Sequence, residues 1–456
     1  MATLDGGIVN VAMPTISSQL HSDLSIIQWV VTVYLLTISS LLPVFGRIAD
    51  LFGRKRIFST GFLIFTLGSA LCGLATNIWF LVGMRVFQAV GASMLMSNSA
   101  AIVAANFGPQ ERGRALGLTG TVVGLGNLAG PAIGGILIGL ASWRLVFYIN
   151  VPIGIIGYLA AQTILPSDGG HSGQESFDFS GALLFTAGMI SLLFAVNNGQ
   201  DWGWTSTPII AGLIMGVVLL SSFFWVETKV NDPMIDLSLY KNRPFLIGNL
   251  SGLLCFVAMF ANTMLMPFYL QSILNYNPTQ VGLVLTAFPL ITAIIAPISG
   301  SLSDKYGPVA LTTGGLVTIG LGLFYLMTVT ATSSVWKIIP GPLLMGLGSG
   351  LFQSPNNSSV ISSVPRAKLG IAGGLNALVR NVGMVMGISF SVTLFENRQA
   401  AILHGISTPA PAQSIIAFMS SYHTVMLVAG VIAICAALIS LNRKGYALPS
   451  VNQGNA

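Results

Sequence analysis

The chain has 456 residues, of which 53% are hydrophobic and only 7% are charged, and its mean hydropathy is +0.81. Soluble domains carry about 25% charged residues, so this composition excludes an ordinary soluble fold and indicates one embedded in a lipid bilayer. The formal net charge of +6 would suggest nucleic-acid binding in a soluble protein, but in a membrane protein Lys and Arg first set topology, so no nucleic-acid partner is expected.

Fourteen apolar runs of the length that crosses a ~30 Å hydrocarbon core follow one another along the chain. They are predicted at residues 1–20, 26–46, 57–76, 79–104, 114–140, 145–165, 180–198, 207–227, 245–271, 280–302, 309–329, 337–361, 372–395 and 422–442. The first run is barely long enough to cross; either upstream apolar residues are missing, which we favour, or this helix begins at mid-depth. Residues 396–421 are expected to form a long outer loop.

Basic residues are distributed unevenly between the two sides of the predicted membrane. With the N-terminus in the cytoplasm, fourteen of the nineteen Lys and Arg residues fall on the cytoplasmic side and three outside, namely Arg144, Lys337 and Arg398. This positive-inside bias predicts a multi-pass plasma-membrane protein with both termini in the cytoplasm. Arg85 and Arg380 fall within runs, where each requires a partner.

A loop motif occurs twice at a constant offset of 254 residues. Its two copies are Gly46, Asp50, Gly53 and Gly300, Asp304, Gly307. A constant offset implies a duplicated half, and eight runs separate the copies. We therefore predict an all-α protein with six-helix bundles at 1–165 and 244–442, two inserted transmembrane helices with linkers at 166–243, and a cytoplasmic tail at 443–456.

The first copy, Gly46-Arg-Ile-Ala-Asp50-Leu-Phe-Gly53-Arg54-Lys55-Arg56, resembles the loop signature of the major facilitator superfamily. Gly46 and Gly53 permit a tight turn between two helices, Asp50 can bond helix amides or an arginine, and Arg54 begins a basic run that holds the loop inside. The family usually has a basic residue at the position of Leu51. The alternative is a simple positive-inside anchor.

The fifth run carries a glycine-proline pattern that resembles the antiporter motif of that family. Its members are Gly117, Gly126, Gly130, Pro131, Gly134 and Gly135. Residues 126, 130 and 134 share one helix face, and proline introduces a kink. The resemblance implies that this face packs against the other half and seals the pore against leak; ordinary small-residue packing is the alternative.

Three further segments resemble fourteen-helix drug:proton antiporters of the EmrB/QacA type. They are residues 4–14 in the first run, residues 81–92 around Arg85, and residues 143–154 in the sixth run, which contain Trp143 and Asn150. Gly7 stands where threonine is common, and Ala89 where glycine is frequent. The resemblance covers essentially the whole chain and implies multidrug efflux driven by protons.

Asp5 is the candidate proton site, because it alone among the thirteen acidic residues lies firmly inside a run. Burial penalises a carboxylate and a nearby cation favours it, so an acid whose surroundings alternate can bind and release a proton. Our hypothesis is that Asp5 carries the proton and that Arg85 stabilises its ionised form. The alternative is a purely structural Asp5–Arg85 pair.

Substrate contacts are expected from polar and aromatic residues of several runs, where Met and aromatic side chains would tolerate varied hydrophobic compounds. The candidates are Asn10, Tyr34, Gln88, Phe256, Asn262, Met266, Tyr269, Gln353 and Asn356. Arg380 is either a helix-packing partner of Asn376 or a contact for anionic groups. The tenth run has no acid, which predicts poor export of dications.

The expected protein is a monomeric transporter and not an enzyme, working on drug-like small molecules and protons within the lipid bilayer. It has no GxxxxGK[ST] loop for ATP and no metal-like cysteine spacing, so the energy source is the proton gradient and no cofactor or metal is expected. An accessory efflux partner stays open. Two alternatives remain, a dedicated metabolite exporter of the same fold and a nontransporting membrane sensor.

Overall fold

The computed structural model describes residues 1–106, 112–166, 178–199, 202–229, 237–365, 369–404 and 410–443. Within these ranges the long elements are all helices, and we number them in chain order. They are α1 (Ala2–Gln19), α2 (Trp29–Phe52), α3 (Arg54–Gly73), α4 (Ile78–Asn106), α5 (Arg112–Leu140), α6 (Asn150–Ile164), α7 (Phe179–Asn198), α8 (Thr207–Glu227), α9 (Arg243–Phe268), α10 (Pro278–Tyr306), α11 (Pro308–Leu326), α12 (Pro340–Ser362), α13 (Leu369–Leu403) and α14 (Pro411–Leu441).

Short helical segments join some of these helices end to end. Four-residue helices precede α2, α6 and α12, at Leu24–Ile27, Leu145–Tyr148 and Val335–Ile338, and a π-helical turn, Tyr269–Ile273, follows α9. A 3-10 helix, Leu237–Lys241, leads into α9.

Each helix corresponds to one predicted apolar run, which confirms the all-α membrane fold. Thirteen helical segments in the described ranges are long and apolar enough to cross a membrane. The remaining long helix, α1, has 18 residues and spans ~27 Å at 1.5 Å per residue. Asp5, Asn10 and Pro14 lower its hydropathy below that of the other thirteen helices.

The prediction of a long loop at 396–421 was wrong. α13 continues to Leu403, and α14 begins at Pro411. Pro411 stands at the first helical position, where its missing N–H is not needed, and Gln413 Oε1 accepts a hydrogen bond from the Ala410 amide at 3.0 Å. Polar residues in this segment hid a helix start in the hydropathy pattern.

Most helices pack on others of the same predicted half, while α5 packs on α10 and α2 on α13 across the two halves. In the first half α1 packs on α5, α2 on α4, and α3 on both α4 and α6; in the second, α12 packs on α10 and α11, and α9 on α13 and α14. α7 and α8 pack together, and α7 also contacts α2 and α13. The predicted domain boundaries stay a prediction, and residues 444–456 of the proposed tail lie outside the described ranges.

Two glycines form the sharp joints that the repeated motif predicts. Gly53 joins α2 to α3 with φ of 97°, and Gly307 joins α10 to α11 with φ of 79°. A side chain strains this left-handed region, so glycine is the residue that suits both turns. We call the end of the bundle with these joints the Gly53 end, and the end where α1 leads towards α2 the His21 end.

Glycines bring the two halves into contact towards the His21 end. A Cβ atom on Gly135 of α5 would lie 3.0 Å from Gly282 Cα and 2.5 Å from the Pro278 carbonyl oxygen of α10. A second contact between the halves joins α1 to the π-helical turn after α9, where Gln271 Nε2 donates to the Val11 carbonyl at 3.1 Å. The halves are therefore closely packed at this end.

The implied role of the α5 glycine face needs correction. A Cβ on Gly130 would lie 3.1 Å from Gly7 Cα, and one on Gly134 would lie 3.1 Å from the Ile8 carbonyl oxygen, both on α1 of the same half. Only the adjacent face, with Gly135, contacts the other half. Gly126 is half-buried on α5, whereas the surroundings of Gly117 lie outside the described residues.

Candidate functional site

The structure brings Asp5 and Arg85 into direct contact. Asp5 lies in the first turn of α1 and Arg85 on α4, and both side chains are 0% exposed. Arg85 Nη1 donates to Asp5 Oδ2 at 2.6 Å. Two opposite charges are thus held together away from solvent, where each depends strongly on the other.

Two amides complete the surroundings of the Asp5 carboxylate. Gln88 Nε2 donates to Asp5 Oδ1 at 3.0 Å, and Asn150 Nδ2 donates to the same oxygen at 2.8 Å. With Arg85, three N–H donors converge on one carboxyl group, and no described residue offers it an acceptor. Because an ionised carboxylate only accepts hydrogen bonds, this geometry suits the ionised form.

Arg85 has contacts that do not depend on Asp5. Its Nε donates to the Val30 carbonyl at 2.9 Å, and Nη1 also donates to Gln88 Oε1 at 2.6 Å. The guanidinium lies over the Tyr34 ring, 4.0 Å from its centroid, which favours a cation. Arg85 Nη2 and the Tyr34 hydroxyl find no hydrogen-bond partner among the described residues.

Gln88 occupies the centre of this network because small residues allow α3 to approach α4. A Cβ on Gly68 would lie 2.6 Å from Gln88 Cα, and one on Gly91 would lie 2.4 Å from the Phe65 nitrogen. Ser69 of α3 accepts a hydrogen bond from Gln88 Nε2 at 2.7 Å. The Gln88 amide therefore has all its groups engaged, and its orientation is determined.

The substrate candidates separate into three places. Tyr34 and Gln88 belong to the Asp5 network, and Asn10 lies half-buried on α1. Phe256, Gln353 and Asn356 line a narrow cavity between α9, α12 and α13.

The third group is buried in packing contacts within the second half. Tyr422 donates to Asn262 Oδ1 at 3.0 Å and to Met266 Sδ at 3.4 Å, and its ring stacks on Tyr269 at 5.3 Å between centroids. Asn262 also contacts Met345 Sδ at 3.6 Å. In this conformation these side chains engage one another, so a ligand there would have to displace existing contacts.

The basic residues after Gly53 attach the α2–α3 joint to neighbouring helix ends. Arg54 Nη1 donates to the Ala101 carbonyl at 3.4 Å, and Lys55 Nζ donates to the Leu165 carbonyl at 2.6 Å. The prediction that Gly46 forms part of the turn was wrong, because Gly46 lies inside α2, as Gly300 lies inside α10. The side chains of Asp50 and Asp304 lie outside the described residues.

Sequence reasoning missed the direct roles of Asn150 and Ser69. Asn150 entered only as part of a motif in the sixth run, although a polar amide at the start of an apolar helix signals a buried partner. Ser69 gave no such signal, since serine is ordinary in membrane helices. It also missed Arg443, which was assigned to the tail but is 1% exposed beside Asn356.

Comparison with known proteins shows that the chain is similar to membrane transporters. Residues 1–388 match the profile of the Major Facilitator Superfamily. The riboflavin transporter RibZ of Clostridioides difficile (strain 630) is 39% identical over 87% of this chain and 85% of its own length. The multidrug transporter protein MdtP of Bacillus subtilis (strain 168) is 30% identical over 88% of this chain and 74% of its length.

A third relative and a solved structure extend the comparison. The multidrug resistance protein B homolog of Mycobacterium tuberculosis (strain ATCC 25618 / H37Rv) is 31% identical over 86% of this chain and 74% of its own length. The crystal structure of a bacterial homologue of the human lysosomal transporter Spinster, inward-facing and unoccupied, aligns with a TM-score of 0.70 at 16% identity, covering 97% of this chain and 93% of that one. At this identity the structural likeness concerns the fold alone.

Proposed function

The chain belongs to the Major Facilitator Superfamily, and from this premise we propose that it is a proton-coupled antiporter that exports hydrophobic or cationic small molecules. The named multidrug relatives support drug efflux, and the fourteen-helix arrangement supports the EmrB/QacA type. We further propose that it works as a monomer in the plasma membrane. The distribution of basic residues favours both termini in the cytoplasm.

The observation that carries the proposal is the fully buried Asp5–Arg85 pair. Protonation of Asp5 would neutralise the carboxylate and leave the Arg85 charge without its counter-ion. Losing one partner of a buried pair costs about 3–5 kcal/mol, so gain or loss of a proton would strongly bias one conformation against another. Arg85 would keep its Val30, Gln88 and Tyr34 contacts throughout, and would thus remain ready to receive the carboxylate again.

Proton access requires a second conformation, because Asp5 is 0% exposed in the one described. The halves pack together at the His21 end through Gly135 and Gly282. In the proposed orientation this is the outer end, so alternating access would separate α5 from α10 there and expose the α1 acid to outside protons.

The proton gradient is a sufficient energy source for this exchange. A potential of ~100 mV contributes ~2.3 kcal/mol per charge, and one pH unit adds ~1.4 kcal/mol. The two together support a gradient of a few hundredfold, on the order of 500, for a neutral substrate exchanged for one proton.

Drug-induced proton release from purified protein tests the proposal. Ethidium and tetraphenylphosphonium, added to weakly buffered wild-type protein in detergent, should release protons, and Asp5→Asn should release none. Asp23→Asn is the matched control, since Asp23 is exposed at the His21 end, and it should behave as wild type. Proton release that persists undiminished in Asp5→Asn would reject Asp5 as the coupling residue.

A second candidate function is dedicated export of one metabolite. It is favoured by the 39% identity with a protein named a riboflavin transporter. Cells expressing the protein would then export riboflavin but show unchanged susceptibility to a panel of drugs. Multidrug efflux predicts the reverse, with raised resistance to several unrelated compounds that disappears in Asp5→Asn.

A further inference from the structure

α13 carries a guanidinium for which the described part of the chain offers no ion-pair partner. Arg380 lies within the candidate span Ala372–Leu403 and lines the narrow cavity between α9, α12 and α13. Its Nε is buried without a hydrogen bond, and no ion pair with a described residue compensates its charge. A charged side chain in a membrane span is costly and is a functional-site candidate by default.

Asn376 does not satisfy Arg380, although the two are one helical turn apart. The Asn376 Nδ2 group donates instead to Asn357 Oδ1 of α12 at 2.8 Å. This contact fastens α13 to α12 and leaves the guanidinium facing the cavity. The sequence suggested two roles for Arg380. The first, packing against Asn376, requires a contact that is not found among the described residues.

A second arginine makes the neighbouring wall positive as well. Arg443, directly after α14, is 1% exposed, and its Nη2 donates to Asn356 Oδ1 and, at 3.2 Å, to Ser251 Oγ. Its Nε and Nη1 find no partner among the described residues. The Asn356 side-chain oxygen already accepts a hydrogen bond from Arg443. The Asn356 N–H group is therefore the one that can bind a ligand in the cavity.

The rest of the cavity wall combines two phenyl rings with polar amide side chains and, among the described residues, carries no acid. Phe256 and Phe352 line it together with Gly252, Gln353 and Val379, and no carboxylate is among the described lining residues. Positive charge and N–H donors beside phenyl rings suit an oxyanion attached to an aromatic body. The cavity is narrow in this conformation, so an oxyanion would bind there only after α9, α12 and α13 move apart.

We infer that this cavity binds the anionic group of an aromatic substrate, with Arg380 as its principal ligand and Asn356 as a second donor. This extends the substrate class of the exporter proposed above to aromatic compounds that also carry an anionic group, and it rests on that proposed function. The site lies on the second half and shares no residue with the Asp5 network of the first half, so the two can be tested separately.

Binding of two rhodamine dyes to purified protein tests the inference without a proton gradient. Rhodamine 110 carries a free carboxylate, and rhodamine 123 is its methyl ester, so the pair differs chiefly in the anionic group. Wild type should bind rhodamine 110 at least about tenfold more tightly, which is the effect of a hydrogen bond to a charged group. Arg380→Gln should abolish this preference, and Arg380→Lys should retain part of it.

Matched variants separate binding from folding and from coupling. Arg398→Gln removes an exposed arginine of the same helix and should keep the preference. Asp5→Asn should also keep it, so that undiminished proton release from Asp5→Asn together with an intact preference would overturn the proposed function alone. Arg380→Met should unfold at the same or a higher temperature than wild type, whereas a structural role predicts a lower one.

Several results would overturn the inference. These are equal affinity of wild type for the two dyes, no saturable binding of either, an unchanged preference in Arg380→Gln, or a lower unfolding temperature of Arg380→Met. A preference seen in phosphatidylcholine nanodiscs but lost in phosphatidylglycerol nanodiscs would assign the site to a lipid headgroup and would equally overturn a substrate role.

Discussion

A double-mutant cycle on Asp5 and Arg85 provides a quantitative test of how the buried pair works. In Asp5→Asn an amide replaces the carboxylate, and Arg85 Nη1, now 2.6 Å from a neutral group, loses its counter-ion in a site that is 0% exposed. Breaking a buried pair in this way costs about 3–5 kcal/mol. Arg85→Met should cost a similar amount, because it leaves the carboxylate with amide donors alone.

The double variant Asp5→Asn/Arg85→Met should be more stable than either single variant. No unpaired charge remains, and the losses are the hydrogen bonds to the Val30 carbonyl and Gln88 Oε1, at about 1 kcal/mol each. Replacing both partners of a buried pair by neutral groups is often close to neutral. The coupling free energy should therefore be at least about 2 kcal/mol in favour of the pair.

Unfolding in detergent, followed by far-UV circular dichroism, measures stability, and drug-driven proton release measures coupling in the same samples. The double variant should regain most of the lost stability while releasing no protons. Additive losses, with the double variant the least stable, would refute the reasoning that the two charges compensate each other. Recovery of proton release along with stability would show that the pair is structural only.

Three further predictions concern other parts of the molecule. Gly135→Leu should leave the protein folded but abolish transport in vesicles, because the new side chain would enter the α5–α10 contact. Gly124→Leu is the control in the same assay, since a Cβ at Gly124 meets nothing within 4 Å. Asn150→Ala should lower the free energy of unfolding by about 1.5–3 kcal/mol, because a donor to the Asp5 carboxylate is lost. Asn106 is exposed, so Asn106→Ala should change this free energy little in the same denaturation experiment. Dications should be exported more slowly than monocations of similar size, because the run 280–302 has no acid; an efflux assay with paired mono- and diquaternary amines checks this, and fast export of a dication independent of Asp5 would contradict it.

Much of the architecture follows from local patterns. Apolar runs of membrane length correspond one to one with the helices, and the repeated motif correctly predicts the glycine joints at Gly53 and Gly307. These features are readable because lipid requires every spanning backbone to satisfy its own hydrogen bonds, so hydropathy and helix coincide. The start of α14 at Pro411 was not predicted, because Gln413, Ser414, Ser420 and Ser421 interrupt the apolar pattern in its first turns.

The contacts between helices were harder to predict from the sequence than the positions of the helices along the chain. The choice of Asp5 and Arg85 as candidates required only the observation that both are charged and lie within spans. Which side chains would join them, and which face of α5 would meet α1 or α10, depended on helix rotation. A shift of one residue turns a helix by about 100°, so Gly134 and Gly135 face different halves although they are adjacent in sequence.

The sequence by itself determined the membrane fold, the duplicated halves and the identity of the intramembrane charges, because composition and periodicity act through local free energies of transfer. Only the tertiary structure decided that Asn150 and Gln88 share the Asp5 carboxylate, and that Arg380 lines a cavity with Asn356 and has no ion-pair partner among the described residues. The physical reason is that buried polar groups are satisfied by neighbours brought together through the packing of small residues. These contacts join residues 83 and 145 positions apart, and no local pattern records them.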